Sequence, residues 1–242
     1  MSTTVASVGT THPRNLAGLG RDARVAADWG VAHVMAVAAV SAQDERGVHE
    51  IFALPPAIVR EQLGAMNFQT VQAVRIGALG SVENAATVAH FLEHAQAPIV
   101  FDPVMHASAG GSLYADDALE AVRVVMQRVP IVLTPNIEEA QILSGVRIRT
   151  VGDMVEAGKA LIRNRAKIAL ITGGHLSGDP VDVLVTDDGA VQTFADTRLP
   201  QKMRGTGCTL AMALTCELAL GRGLVDAVKG ARAYVRENIA RS

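Results

Sequence analysis

The residues best suited to chemistry in this 242-residue chain are Arg204-Gly-Thr-Gly-Cys-Thr-Leu, a glycine turn running straight into a strongly apolar helical stretch. Glycines there let the backbone bend so that successive N–H groups point outward at the helix start. Those free donors, with the positive end of the helix dipole, make an anion site. Cys208 lies in the same field, which lowers a thiol pKa and favours the thiolate. A group so placed can take a proton from a substrate hydroxyl as phosphate arrives. The bland alternative is a glycine turn entering a buried helix, with Cys208 as a small core residue.

Three further clusters each follow a strand-like run. In Phe101-Asp-Pro-Val-Met, Asp102 can bind a metal or a metal-bound water beside phosphates, or simply cap its loop. In Thr134-Pro-Asn-Ile-Glu-Glu-Ala, Asn136 can cap the next helix and Glu139 can face a Mg²⁺ shell, while Glu138 or Glu139 can equally be a solvated helix carboxylate. In Ile171-Thr-Gly-Gly-His, paired glycines let a nucleotide approach the backbone closely. Other patterns carry less. His90 and His94 are four apart on a helical stretch, but no glutamate follows His90 as in the zinc-binding helix motif. There is no G-x-x-x-x-G-K-[ST], and Gly18-Leu-Gly-Arg lacks the third glycine of a dinucleotide fingerprint.

These clusters need elements to hold them. Strand-length apolar runs at 3–8, 31–40, 48–54, 71–76, 98–101, 131–133 and 167–172 alternate with helical patterns at 22–29, 55–66, 82–95, 115–128, 137–143 and 151–164. A hairpin is expected at 181–186 and 190–194, turning at Asp188–Gly189, and helices at 206–220 and 224–239 close the chain. Repeated strand–helix–strand units imply right-handed crossovers and an α/β fold: a mostly parallel central sheet with helices on both faces and a small hairpin. No linker or repeat interrupts it, so residues 1–242 read as one domain. In such sheets ligands collect at the carboxyl ends of the strands, where the three strand-following clusters lie.

Composition agrees. Just under half the residues are apolar and 3% are aromatic, which suits a buried parallel sheet built from Ala, Val, Leu and Ile. A net charge of -2 with scattered Lys and Arg offers no basic patch for nucleic acid. Apolar runs are too short for a bilayer, and the polar start is unlike a signal peptide. Cys208 and Cys216, eight apart in one expected helix, make neither disulfide nor metal quartet. The protein reads as soluble and cytoplasmic.

Taken in order, Ala39-Val-Ser-Ala-Gln-Asp-Glu-Arg-Gly-Val, Leu54-Pro-Pro, Arg75-Ile-Gly, Asp102-Pro-Val-Met, Thr134-Pro-Asn, Gly173-Gly-His-Leu and Gly205-Thr-Gly-Cys-Thr-Leu resemble the hydroxymethylpyrimidine/phosphomethylpyrimidine kinases of thiamine biosynthesis. The likeness runs from about Ala17 to Tyr234. It implies a three-layer ribokinase-like fold without a separate lid domain, ATP and Mg²⁺ as cofactors, and a homodimer. The substrate it implies is a small molecule, an aminopyrimidine alcohol or its monophosphate. By that resemblance Cys208 is the catalytic base, and Gly205, Thr206 and Gly207 form the anion hole. Gln43 bonds the pyrimidine edge, and Val40, Ala42, Ala17, Ala78 and Val104 line the ring. Asp102 and Glu139 lie near Mg²⁺, and Thr172, Gly174, Asn136, Glu139 and Arg204 near the nucleotide.

The chain also departs from the family pattern. Gly9-Thr-Thr-His-Pro-Arg-Asn-Leu-Ala-Gly stands where the family has an acidic residue and a double glycine that close on the pyrimidine. Thr172 replaces a lysine, Ala78 a methionine and Arg204 a histidine, and Arg204 is a candidate for the charge lost at Thr172. Losing one phosphate-contacting cation costs about 1.5–3 kcal/mol, roughly ten- to hundredfold in rate. Two alternatives stay open: a kinase for a related heteroaromatic alcohol such as a pyridoxal-like ring, and a catalytically weak pyrimidine-binding paralogue.

Overall fold

The computed structural model describes residues 3–174, 176 and 178–242. One nine-stranded sheet runs in the order β3-β2-β1-β4-β5-β6-β7-β8-β9. Its strands are β1 (Thr4–Thr10), β2 (Ala32–Asp44), β3 (Gly47–Ala53), β4 (Ala73–Ile76), β5 (Ile99–Phe101), β6 (Val132–Leu133), β7 (Ile168–Ile171), β8 (Val181–Thr186) and β9 (Val191–Ala195). From β2 to β7 every pairing is parallel. β3 joins one edge antiparallel, and the expected hairpin β8–β9 extends the other.

Eight helices cover the two faces: α1 (Gly18–Asp28), α2 (Pro56–Ala65), α3 (Val82–Leu92), α4 (Ala118–Arg128), α5 (Ile137–Ser144), α6 (Val151–Arg163), α7 (Thr206–Ala219) and α8 (Leu224–Ala240). Period-two alternation in β1 sends Ala6 and Val8 into a core with α2 to α6, and Val5 into a core with α1, α7 and α8. That is the three-layer arrangement expected. α7 is apolar all round because it lies between the sheet and its helical neighbours, with Thr209 to Cys216 all buried. Thr209 and Thr215 fit there by donating their hydroxyls to the carbonyls of Gly205 and Ala211. No described helix is long and apolar enough to cross a membrane.

Most element ends fall within two or three residues of the expected ones. Two elements differ by four: β2 runs on to Asp44 rather than Val40, where it pairs with β3, and α1 starts at Gly18 rather than Asp22, where Gly18 adopts φ +60 and turns the chain into the helix early. The carboxyl ends of the parallel strands all open on one side, and α5 and α7 begin there.

Candidate active site

Gly205 is the N-cap of α7, with φ 73 in the left-handed region. A Cβ there would run into the carbonyl oxygen of Leu16, and one on Gly18 would run into that of Thr10. These two glycines let the segment 11–17 lie directly against the turn, whatever its own side chains are. Among the described residues, the N–H groups of Thr206, Gly207 and Cys208 donate to no acceptor, and the first bond of α7 runs from Thr209 N–H to the Gly205 carbonyl at 2.9 Å. Three free donors at a helix start are the geometry the glycines led to, and such a start is suited to an anion.

The turn stands where two hollows meet. The first, about 320 Å³, is lined by Ala17, Gln43, Ala78, Asp102, Val104 and Cys208 among others. The second, about 400 Å³, lies toward α8 and is lined by Gly174, Lys202, Leu210, Arg232 and Val235 among others. Thr172, Met203, Thr206 and Gly207 border both.

Beneath the turn is a fully buried ionic network. The Arg75 guanidinium donates to Asp22 Oδ2 at 3.1 Å and to Asp102 Oδ2 at 2.5 Å, and all three side chains are at most 3% exposed. Burial alone would lower the guanidinium pKa, but the flanking carboxylates outweigh it and hold the charge. Burial pushes Asp22 up to about 6, with Arg75 pulling it down and Asp102 pushing it up.

The same surroundings correct one expectation. Burial, and then the Asp102 carboxylate, push the Cys208 thiol up to about 12, although Arg75 pulls the other way. The thiol is therefore protonated at neutral pH. A helix start by itself favours thiolate, but burial, reinforced by Asp102, outweighs it here.

Most of the anticipated residues converge. Gln43 lines the first hollow, and its amide nitrogen donates to Ser41 Oγ at 2.7 Å, which itself donates to the Thr11 carbonyl at 2.6 Å. That chain leaves the Gln43 carbonyl oxygen to accept from a ligand. Asn136 and Glu139 form a reciprocal capping box at the start of α5, so Asn136 does cap its helix. Glu139 also lines the hollow and is pushed up to about 8 by burial and by Asp102. Val40 and Ala42 do not reach the hollow. Both are exposed on the face opposite Ser41, because side chains alternate along β2. Arg204 lines the first hollow and not the second, reaching the Glu45 carbonyl at 3.4 Å, so it points away from Gly174. His90 and His94 are exposed; His90 Nδ1 hydrogen-bonds Glu93 at 3.0 Å, and His94 Nε2 stands 3.8 Å from the same carboxylate. His175 lies outside the described residues.

Comparison with known proteins now bears on this geometry. The model of the phosphomethylpyrimidine kinase family matches residues 13–242. The chain belongs to that family. A hydroxymethylpyrimidine/phosphomethylpyrimidine kinase of Streptomyces coelicolor is 40% identical over 221 residues, 90% of this chain and 82% of the relative. The crystal structure of a phosphomethylpyrimidine kinase from Clostridium difficile superposes with a TM-score of 0.84 at 28% identity, covering 98% of this chain and 99% of that one. An ADP complex of Bacillus subtilis pyridoxal kinase gives 0.84 at 27% identity, covering 96% and 90%. The chain is thus a phosphotransferase of ribokinase-like fold.

Several residues lining the two hollows escape a reading of the sequence. Arg75 was noticed only as part of a motif, and the second hollow's Asp182 and Arg232 not at all. A signal existed for two of them, since Arg75 and Asp182 are charged residues inside strands that are otherwise apolar, which is costly unless each is paired. The loop at 106–109, which also lines the first hollow, has no such mark.

Proposed function

We propose that the chain transfers the γ-phosphoryl group of Mg·ATP to an aminopyrimidine alcohol or its monophosphate. The observation that carries this is the free N–H turn at the meeting of two hollows, with Gln43 in one and Gly174 in the other. The second hollow takes the nucleotide, the first takes the acceptor, and the Thr206–Cys208 donors hold the phosphoryl group in transit. The free Gln43 carbonyl oxygen suits the exocyclic amine of an aminopyrimidine, which a pyridoxal-like ring lacks; this favours the pyrimidine among heteroaromatic acceptors. Ala17, Ala78 and Val104 offer apolar walls to the ring.

Asp102 and Glu139 face the hollow close enough for one to raise the pKa of the other, an arrangement a divalent cation completes. Among the described residues no group of three or more His, Cys, Asp or Glu side chains can hold a metal alone, so phosphate oxygens and water would fill the remaining positions. When bound there, Mg²⁺ neutralises charge on the phosphates. Lys202 lines the nucleotide hollow and has no carboxylate partner among the described residues, so it takes over the charge absent at Thr172. Cys208, with its thiol protonated, orients the acceptor oxygen by an S–H contact. The exposed apolar pair Val40 and Phe52 on the β3 edge supports a homodimer, which sedimentation would test.

The test is acceptor-dependent ADP formation from Mg·ATP with the aminopyrimidine alcohol, its monophosphate and pyridoxal. A pyrimidine acceptor should support turnover, reduced at least about tenfold in Cys208→Ala. No acceptor-dependent ADP with either pyrimidine would overturn the assignment, and a preference for pyridoxal would move it to the other ring.

A further inference from the structure

Among the described residues, the first hollow holds one arginine with no carboxylate partner. Arg75, at its floor, is taken up by Asp22 and Asp102. Arg204, at its mouth, has only the Glu45 backbone carbonyl, at 3.4 Å, among the described residues. The nearby Glu45 side chain does not claim it, because Arg14 pairs with that carboxylate. Arg14 therefore leaves Arg204 available. Beside it lies His12, buried and lining the same hollow. Its Nδ1 accepts the Arg14 backbone N–H at 3.0 Å, so the neutral ring carries its proton on Nε2 and offers a second donor.

Position decides what these donors meet. Arg204 immediately precedes the N-cap Gly205, and it reaches the turn two residues beyond Gln43. It spans from the wall that reads the ring to the turn that holds the transferred group. A free alcohol puts nothing charged in that gap. A monophosphate puts its phosphate there, between ring and incoming phosphoryl group.

Resting on the function proposed above, we infer that Arg204, assisted by the His12 Nε2–H, makes the acceptor hollow selective for the phosphorylated aminopyrimidine over the free alcohol. In the reaction, an oxygen of the acceptor phosphate forms a new bond to the γ-phosphorus. The bond from that phosphorus to the β,γ-bridging oxygen breaks, and ADP leaves with the electron pair. A phosphate monoester is largely dianionic at neutral pH, so this acceptor has no proton to surrender before attack, whereas the alcohol does. The protein would accordingly consume the product of an alcohol-phosphorylating or phosphate-retaining step and deliver a diphosphate.

The experiment is steady-state kinetics of the full chain with Mg·ATP and each acceptor, alcohol and monophosphate, for wild type, Arg204→Gln, Arg204→Lys and Arg14→Ala. Wild type should prefer the monophosphate in kcat/KM. Arg204→Gln should lower the monophosphate-to-alcohol ratio about ten- to hundredfold, mainly through KM, the worth of one charge-assisted hydrogen bond. Arg204→Lys should recover part of the ratio. Arg14→Ala should also lower it, since the freed Glu45 carboxylate then competes for Arg204. A wild-type preference for the alcohol, or equal losses on both acceptors in Arg204→Gln with unchanged melting temperature, would overturn the inference while leaving the kinase assignment standing. Absence of turnover with either acceptor would instead sink that assignment and this inference with it.

Discussion

Two arginines in this kinase are each bracketed by two aspartates, and the two brackets lie at different depths. Arg75 sits between Asp22 and Asp102 under the glycine turn, with side chains 1%, 0% and 3% exposed. Arg232 sits between Asp182 and Asp196 on the wall of the second hollow, 10%, 12% and 31% exposed, with Arg236 adding a further contact to Asp196. The deep bracket joins α1, β4 and the loop after β5, three elements far apart in sequence. The shallow one ties the hairpin region to α8, and Arg232 also lies over the Phe194 ring at 5.6 Å. Where water cannot reach, an arginine is there because two carboxylates need it, and removing it strands both. Where water reaches, solvent takes over part of that duty.

The comparison breaks most visibly at Arg75. Arg75→Met leaves two buried carboxylates uncompensated, and a loss of about 3–5 kcal/mol is expected from chemical denaturation. Activity should fall with it, because Asp102 loses its anchor, and Arg75→Lys should restore part of both. A loss no larger than that of Arg232→Met would mean that depth is not what separates the two networks.

Each bracket also has a glycine packed beside it. A Cβ on Gly173 would meet the Val181 backbone carbonyl, and one on Gly77 would meet the Arg75 guanidinium. Gly173 N–H donates to Asp182 Oδ1 at 2.8 Å, so Gly173→Ala strains the shallow network through backbone that cannot step aside. A cost of about 1–3 kcal/mol in thermal unfolding is expected, together with a raised KM for ATP because Gly174 lines the hollow proposed for the nucleotide.

Arg232→Met should cost about 1.5–3 kcal/mol at most, the range for charge-assisted hydrogen bonds, and should change KM for ATP more than kcat. An unchanged KM would separate this network from nucleotide binding.

The smallest effect lies at the rim of the deep network, where His33 Nε2 stands 2.8 Å from Ser7 Oγ. Burial lowers His33 to about 4 from 6.5. The unfolded chain therefore takes up this proton first on acidification. The stability contribution is whole above pH 6.5, declines as pH falls, and is gone by about pH 4. Asp22, pushed up to about 6, works in the opposite sense over part of that window. The difference between wild type and His33→Gln melting curves isolates the histidine, with about 1 kcal/mol, or 2–4 °C, expected. Parallel curves from pH 4 to 7 would exclude His33 as a titrating element.

How legible this was differed between elements. β1 announces itself by a β-branched run, β2 by the unbroken apolar stretch Val34–Val40, α7 by its strongly apolar composition, and the β8–β9 hairpin by Asp188–Gly189 at its turn. The glycine turn is equally legible, since Gly205 and Gly207 flank Thr206 at the start of α7, although the tetrapeptide alone fits a plain helix entry as well. Val40 and Ala42 were misassigned because an apolar residue next to Gln43 can face either side of a strand, and the register with β3 decides which. The thiol of Cys208 departs from the local expectation because burial, and Asp102 from 106 positions away in the chain, act on it only through the fold. The reach of Arg204 toward Glu45 is a contact across 159 positions.

Local chemistry, then, belonged to the sequence: element types, the glycine turn, the cap at Asn136, and membership in a phosphotransferase family. Those depend on periodicity and on neighbours within a few residues, which a linear pattern carries. Only the tertiary structure decided which charges meet, that Arg75 is spent on two aspartates while Arg204 is not, and that one helix start serves two hollows. Electrostatic effects depend on distance through folded space and on exclusion of water, and neither quantity is written along the chain.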